Sequence, residues 1–122
     1  MKKAMSHGSC QMLGTFFATF GHSTRMKIFC ALQGTPKTVT EVAVDAGISI
    51  TNASQHLRIM RDRGAVTAEK RAQCVYYHIA DPRFVTAAML IHDALYEQLV
   101  REAALASDRP QHRRLSSILQ PV

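Results

Sequence analysis

Residues 46–64 read Ala46-Gly47-Ile48-Ser49-Ile50-Thr51-Asn52-Ala53-Ser54-Gln55-His56-Leu57-Arg58-Ile59-Met60-Arg61-Asp62-Arg63-Gly64. At 100° per residue, Ile50, Ala53, Leu57 and Met60 fall within one apolar arc of a helix over 49–63. Thr51, Gln55, Arg58 and Asp62 take the opposite side, with Asn52 on one flank and Ser54 and Arg61 on the other. Gly64 ends this helix. Before it, Thr38 to Ala46 reads as a shorter helix with Val39, Val42 and Ala43 inward, stopped by Gly47. Two short helices joined by a tight turn, with a polar outer face on the second, form a helix-turn-helix arrangement. A helix of this kind fits the major groove of DNA, where its first turns must offer donors and acceptors to base edges. Ser49, Thr51, Asn52, Ser54 and Gln55 are side chains of that type, and His56 stands among them. Arg58, Arg61 and Arg63 sit further along, where phosphates run. The competing reading is an ordinary solvated helix.

The flanking sequence favours the first reading. After Gly64, the alternation Ala65-Val66-Thr67-Ala68-Glu69, a polar tip Lys70-Arg71-Ala72 and the run Gln73 to Ile79 predict a two-stranded hairpin. Lys70 and Arg71 at the tip are placed to reach a phosphate backbone or a minor groove. Upstream, Met12, Phe16 and Phe20 make one stripe of a helix over 9–21, with Leu13 and Phe17 beside it. Ser23 is a suitable cap for a second helix, Thr24 to Gln33, whose buried face is Ile28, Phe29 and Leu32. Downstream, Asp81-Pro82 caps and starts a long helix to about Ala106. Val85, Ala88, Met89, Ile91, Leu95 and Leu99 give it a broad apolar stripe, more than a small body covers, so it is expected to meet a partner chain. The fold class is therefore mostly α with a small β-hairpin. A flexible N-terminus is expected over 1–8, the domain over 9–106 and a basic C-terminal tail over 107–122.

Composition bounds the function. The chain has 122 residues, enough for one domain, and its 47% hydrophobic content supplies a core. No apolar run approaches the ~18 residues of a membrane span. The N-terminal Lys2 and Lys3 are not followed by an apolar segment, so no secretory signal is expected. Three widely spaced cysteines, Cys10, Cys30 and Cys74, are too few for a disulfide scaffold and fit a reducing cytosol. The net charge is +6. Over 51–71, Arg58, Arg61, Arg63, Lys70 and Arg71 outnumber Asp62 and Glu69. Over 81–106, Asp81, Asp93, Glu97 and Glu102 outnumber Arg83 and Arg101. A basic block beside an acidic one suits a polyanion on one face only. There is no Gly-rich phosphate loop, no catalytic nucleophile–base pattern and no cofactor motif, so an enzyme is not expected.

Phe20-Gly21-His22-Ser23-Thr24-Arg25-Met26-Lys27-Ile28, Ala46-Gly47-Ile48-Ser49, Ala53-Ser54-Gln55-His56-Leu57, Met60 to Val66 and Val75-Tyr76-Tyr77-His78-Ile79 together resemble the ArsR/SmtB winged helix-turn-helix repressors, over about residues 12–100. The resemblance implies a homodimer through the first and last long helices, an inverted-repeat (palindromic) operator in double-stranded DNA, and release by an inducer. The family's sensing sites transfer unevenly. A cysteine pair on the third helix is replaced by Thr38 and Thr40. The positions of the metal site on the last helix are Asp81, Arg83, Ala94 and Glu97, without imidazoles, and Arg83 repels a cation. Cys30 matches the first cysteine of the family's sulfide and persulfide sensors, but the matching stretch His92 to Glu97 has no second one. Cys10 is the candidate substitute. Cys30 therefore reads either as a thiol sensor for reactive sulfur or redox, or as a small buried core residue. His7 and Cys10, with Met5 and Met12, are a weak candidate site for a soft metal, set against a frayed terminus. A constitutive winged helix without an inducer is the alternative to a switched repressor.

Overall fold

The computed structural model describes residues 5–107. In chain order the elements are α1 (His7–Thr19), α2 (Ser23–Ala31), α3 (Val39–Ala46), α4 (Ile50–Asp62), β1 (Val66–Arg71), β2 (Cys74–Ile79) and α5 (Pro82–Leu105). The chain separates into two compact units, one up to Phe84 and one from Val85 onward. The expected tail lies outside the described residues from position 108, as do the first four residues of the expected N-terminal segment.

The first unit is built on α4. Ala53, Leu57 and Met60 have no exposed surface, and they pack with Ile28, Phe29 and Leu32 of α2 and Val42, Ala43 and Ala46 of α3. Ala65 and Val66 close this core where the hairpin begins. Aromatic rings extend it. Phe20 meets Phe29 edge-on at 5.1 Å between centroids, Phe16 meets Phe20 at 5.1 Å, and Phe84 lies 4.6 Å from Phe16. Phe17, expected beside this stripe, is 53% exposed. Each helix start has a local reason. Thr38 and Glu41 form a reciprocal capping box on α3. Ser49 Oγ accepts from the Asn52 N–H at 3.0 Å on α4. Asp81 accepts from the Arg83 N–H at 2.8 Å on α5.

Three boundaries differ from expectation. α1 starts at His7 because Ser6 accepts from the Ser9 N–H and caps it there. α2 is capped by His22, whose Nδ1 accepts from the Thr24 N–H at 3.2 Å, and Ser23 is the first helical residue. The hairpin strands run further than the alternation suggested. Arg71 pairs with Cys74, so Lys70 and Arg71 belong to β1 and the turn is Ala72-Gln73. Ala72 takes a positive φ of 54°, which a two-residue hairpin turn requires at its first position. Lys37 adds a single-residue antiparallel bridge to the two-stranded sheet: its N–H donates to the Tyr77 carbonyl at 2.9 Å and its carbonyl accepts from the Tyr77 N–H at 2.7 Å.

The turn between α3 and α4 depends on Gly47, the αL cap of α3 at φ 69°. A Cβ there would touch nothing within 4 Å, so only backbone strain opposes a side chain. Gly47→Ala is expected to lower stability by about 1 kcal/mol. Leu57→Ala removes a fully buried anchor and is expected to cost about 2–5 kcal/mol. Urea denaturation followed by circular dichroism checks the ranking, and equal losses would contradict it.

Candidate nucleic-acid interface

The apolar anchoring of α4 leaves its other side free. Thr51, Ser54, Gln55, Arg58, Arg61 and Asp62 are all exposed, and Asn52 is half-buried on the flank. The expected set of polar side chains is thus brought together on one surface, with two exceptions. Ser49 spends a hydroxyl lone pair on capping. His56 turns inward: its ring lies 4.8 Å from that of His22, and its Nδ1 is buried without a partner among the described residues. This happens because position 56 falls on the flank that meets α2.

Ser54, Arg58, Arg61 and Asp62 line an open cleft of about 390 Å³ whose opposite wall is Tyr77 of β2. Two guanidinium groups, a hydroxyl and a phenol give it the donors a phosphodiester needs, with a single carboxylate opposed. Tyr77 was absent from the sequence-level candidates. It sits in β2, which pairs with the β1 strand that follows α4, and its backbone bridge to Lys37 ties β2 to the start of α3. Lys37 is itself committed to an ion pair with Asp45.

The hairpin presents its two basic residues differently. Successive strand residues point to opposite faces, so Lys70 and Arg71 do not share one. Arg71 is held on its face by Glu69, Nε to Oε1 3.1 Å, and its guanidinium lies 5.3 Å from the centre of the Tyr76 ring. Both remain exposed.

The residue pattern of this interface, a helix-turn-helix followed by a β-hairpin, has counterparts among known proteins. Residues 20–69 match a helix-turn-helix domain family. The HTH-type transcriptional regulator YgaV of Escherichia coli is 32% identical over 77 residues, which cover 62% of this chain and 78% of that protein. The chain belongs to the family of HTH-type transcriptional regulators. Rv0081 of Mycobacterium tuberculosis is 29% identical over 94 residues, covering 76% of this chain and 82% of that one. Its crystal structure superposes with a TM-score of 0.71 at 26% identity, over 80% of this chain and 98% of that chain. The homodimeric winged helix-turn-helix domain of Mb0332 from Mycobacterium bovis shares the fold at a TM-score of 0.64 and 20% identity, over 88% of this chain and 95% of that chain. This chain is accordingly a DNA-binding transcriptional regulator and not an enzyme.

The family's sensing positions look as follows. Cys30 is exposed on α2, since Ile28, Phe29 and Leu32 take the core face. The alternative of a buried core cysteine is therefore overturned for the single chain. Cys10 on α1 and Cys74 on β2 are exposed too. His7 and Cys10 stand one turn apart on α1, and among the described residues no group of three or more His, Cys, Asp or Glu is placed to hold a metal ion. The Asp81 carboxylate is tied to Arg83 by two contacts, Nη2 to Oδ2 at 2.8 Å and Nε to Oδ1 at 3.1 Å, which pull its pKa down to about 2. Among the described residues no helix is long and apolar enough to cross a membrane.

His56 is expected to make folding stability sensitive to acid. Burial of the ring lowers its proton affinity, and the neighbouring His22 and Arg25 lower it further. Arg25 Nε and Nη1 are likewise buried without partners among the described residues, so no carboxylate offsets a second positive charge. With the folded pKa below the ordinary 6.5, the unfolded chain takes up the proton first as pH falls. Stability is expected to be flat above about pH 7 and to decline as pH drops through and below 6.5. His56→Gln is expected to flatten that decline in thermal melts between pH 8 and 5. An unchanged slope in the variant would place the titration elsewhere.

Proposed function

We propose that this regulator is a homodimeric repressor that occupies an inverted-repeat operator through α4 and the hairpin and leaves it when an inducer acts. The observation that carries the DNA-binding half is the division of α4 into a fully buried apolar row and an exposed polar and basic face. Thr51, Asn52, Ser54 and Gln55 read base edges, Ser49, Arg58 and Arg61 meet phosphates, and Lys70 and Arg71 extend the contact along the backbone. His56 supports the helix from its inner flank.

The dimer reading rests on α5. None of its residues is buried, and Met89, Leu90, Ile91, Leu95 and Tyr96 are each 45% exposed or more. A surface of that kind calls for a partner, and the Mb0332 domain, of the same fold, is homodimeric. A two-fold dimer sets its two α4 helices in successive major grooves, with half-site centres about 10 bp apart or a multiple of that. Repression then follows from occupancy of promoter DNA.

For the inducer we infer reactive sulfur acting at Cys30, with Cys10 as the second thiol. The Cys30 thiolate attacks a sulfane sulfur of a polysulfide. A new S–S bond forms on Cys30, the donor's S–S bond breaks, and the donor leaves as a thiolate one sulfur shorter. The exposure of both thiols supports this reading.

Fluorescence anisotropy on the DNA upstream of the chain's own gene tests both halves, with reduced protein compared against protein treated with a polysulfide donor. Tight binding that weakens on treatment, with sulfur added on Cys30 by mass spectrometry, is the expected result. Tight binding indifferent to treatment would leave a constitutive binder. Gln55→Ala is expected to cost about 1–3 kcal/mol on the operator and little on random DNA. Arg71→Ala is expected to weaken all duplexes alike and to make the salt dependence shallower.

A further inference from the structure

The groove-facing helix carries one apolar side chain that the fold does not use. Ile50, the first residue of α4, is 52% exposed, although the apolar arc of the sequence includes it. The reason is positional: Ala53, Leu57 and Met60 each reach α2 and α3, while Ile50 stands about two turns ahead of Leu57, at the very start of the helix. A Thr or Gln would be solvated there without loss, whereas a half-exposed Ile forgoes burial free energy.

Ile50 also heads an i, i+4 row with Ser54 and Arg58. All three are exposed, and Ser54 and Arg58 continue into the cleft shared with Arg61 and Tyr77. Along the helix axis the row changes from hydrocarbon to hydroxyl to guanidinium. A helix that enters a major groove by its N-terminal end meets base edges first and backbone later. Among the groups that base pairs present on that groove floor, the hydrocarbon one is the 5-methyl of thymine.

We propose that Ile50 is a specificity-determining residue that packs against the 5-methyl group of a thymine in each half-site, with Arg58 on a backbone phosphate two turns along the same row. This rests on α4 being the helix that enters the groove. Thr51 and Gln55 select bases by hydrogen bonding, and Ile50 selects by removing hydrocarbon from water. A cytosine at the same place lacks the methyl, and a purine sets polar N7 against the side chain.

The test uses the full chain. Duplexes are selected from a random pool, and each thymine of the selected sequence is replaced in turn by deoxyuridine, which pairs identically but lacks the methyl. One thymine per half-site is expected at which replacement weakens wild-type binding about fourfold, the change for one buried methyl-sized group. Ile50→Ala is expected to show no such loss at that position and to select a pool with any base there, while Ile50→Val keeps part of the preference. If every deoxyuridine duplex binds the wild type like its parent, or if Ile50→Ala loses as much as the wild type, the assignment of Ile50 is overturned while DNA binding stands. If the chain selects no duplex at all, the groove reading of α4 falls, and this inference with it. The deoxyuridine series on the wild-type chain involves no substitution in the protein, so misfolding of a variant does not mask the outcome.

Discussion

The structure depends on a one-sided attachment. Ala53, Leu57 and Met60 fix α4 to α2 and α3 with no exposed surface between them. A helix that must display polar side chains in a fixed arrangement gains nothing from packing on its outer side, so all its positional certainty comes from the inner row. The αL turn at Gly47 and the Ser49 cap then set where the helix begins. A slip of one residue there rotates every outer side chain by about 100°. Core packing and recognition are in this sense one problem, solved by three side chains and one glycine.

The same economy explains which parts of the molecule were legible in the sequence. Periodicity located all five helices and the hairpin, because apolar residues recur at the period of each element; α2, α3 and α4 bury that row, while the apolar stripe of α5 stays uncovered in the single chain. The inner row of α2, Ile28, Phe29 and Leu32, could be read directly. Where local chemistry had two equal solutions, it could not choose. His22 and Ser23 both make acceptable caps, and the imidazole took the role. Lys70-Arg71-Ala72 looked like a tip, but register is set by which residues pair across the strands, and that is a property of the pair and not of either run.

The interface shows a similar boundary. Its exposed polar residues followed from angular position alone. Ile50 and His56 did not, since their angles suggested core and surface respectively and their neighbours decided otherwise. Ile50 is too far forward to be covered, and His56 meets α2 on its flank. Tyr77 could not be placed on the cleft because nothing local reveals that β2 also bonds to Lys37. Cys30 is a case where identity and periodicity disagreed: free cysteines are usually buried, but its place in α2 points away from the core.

The pair of backbone bonds between Lys37 and Tyr77 gives the hairpin a fulcrum at the root of α3. From Tyr77 to the turn at Ala72-Gln73 the strand extends roughly 13 Å at the ordinary rise of a β-strand. A rotation of about 10° at that fulcrum therefore carries the tip roughly 2 Å sideways, several times the tolerance of a hydrogen bond. The length of the hairpin multiplies any rotation at its base. If the proposed phosphate contacts of Lys70 and Arg71 form, a small rotation of the hairpin about its attachments at Lys37 and at the buried Ala65 and Val66 would be enough to break them without unfolding the domain.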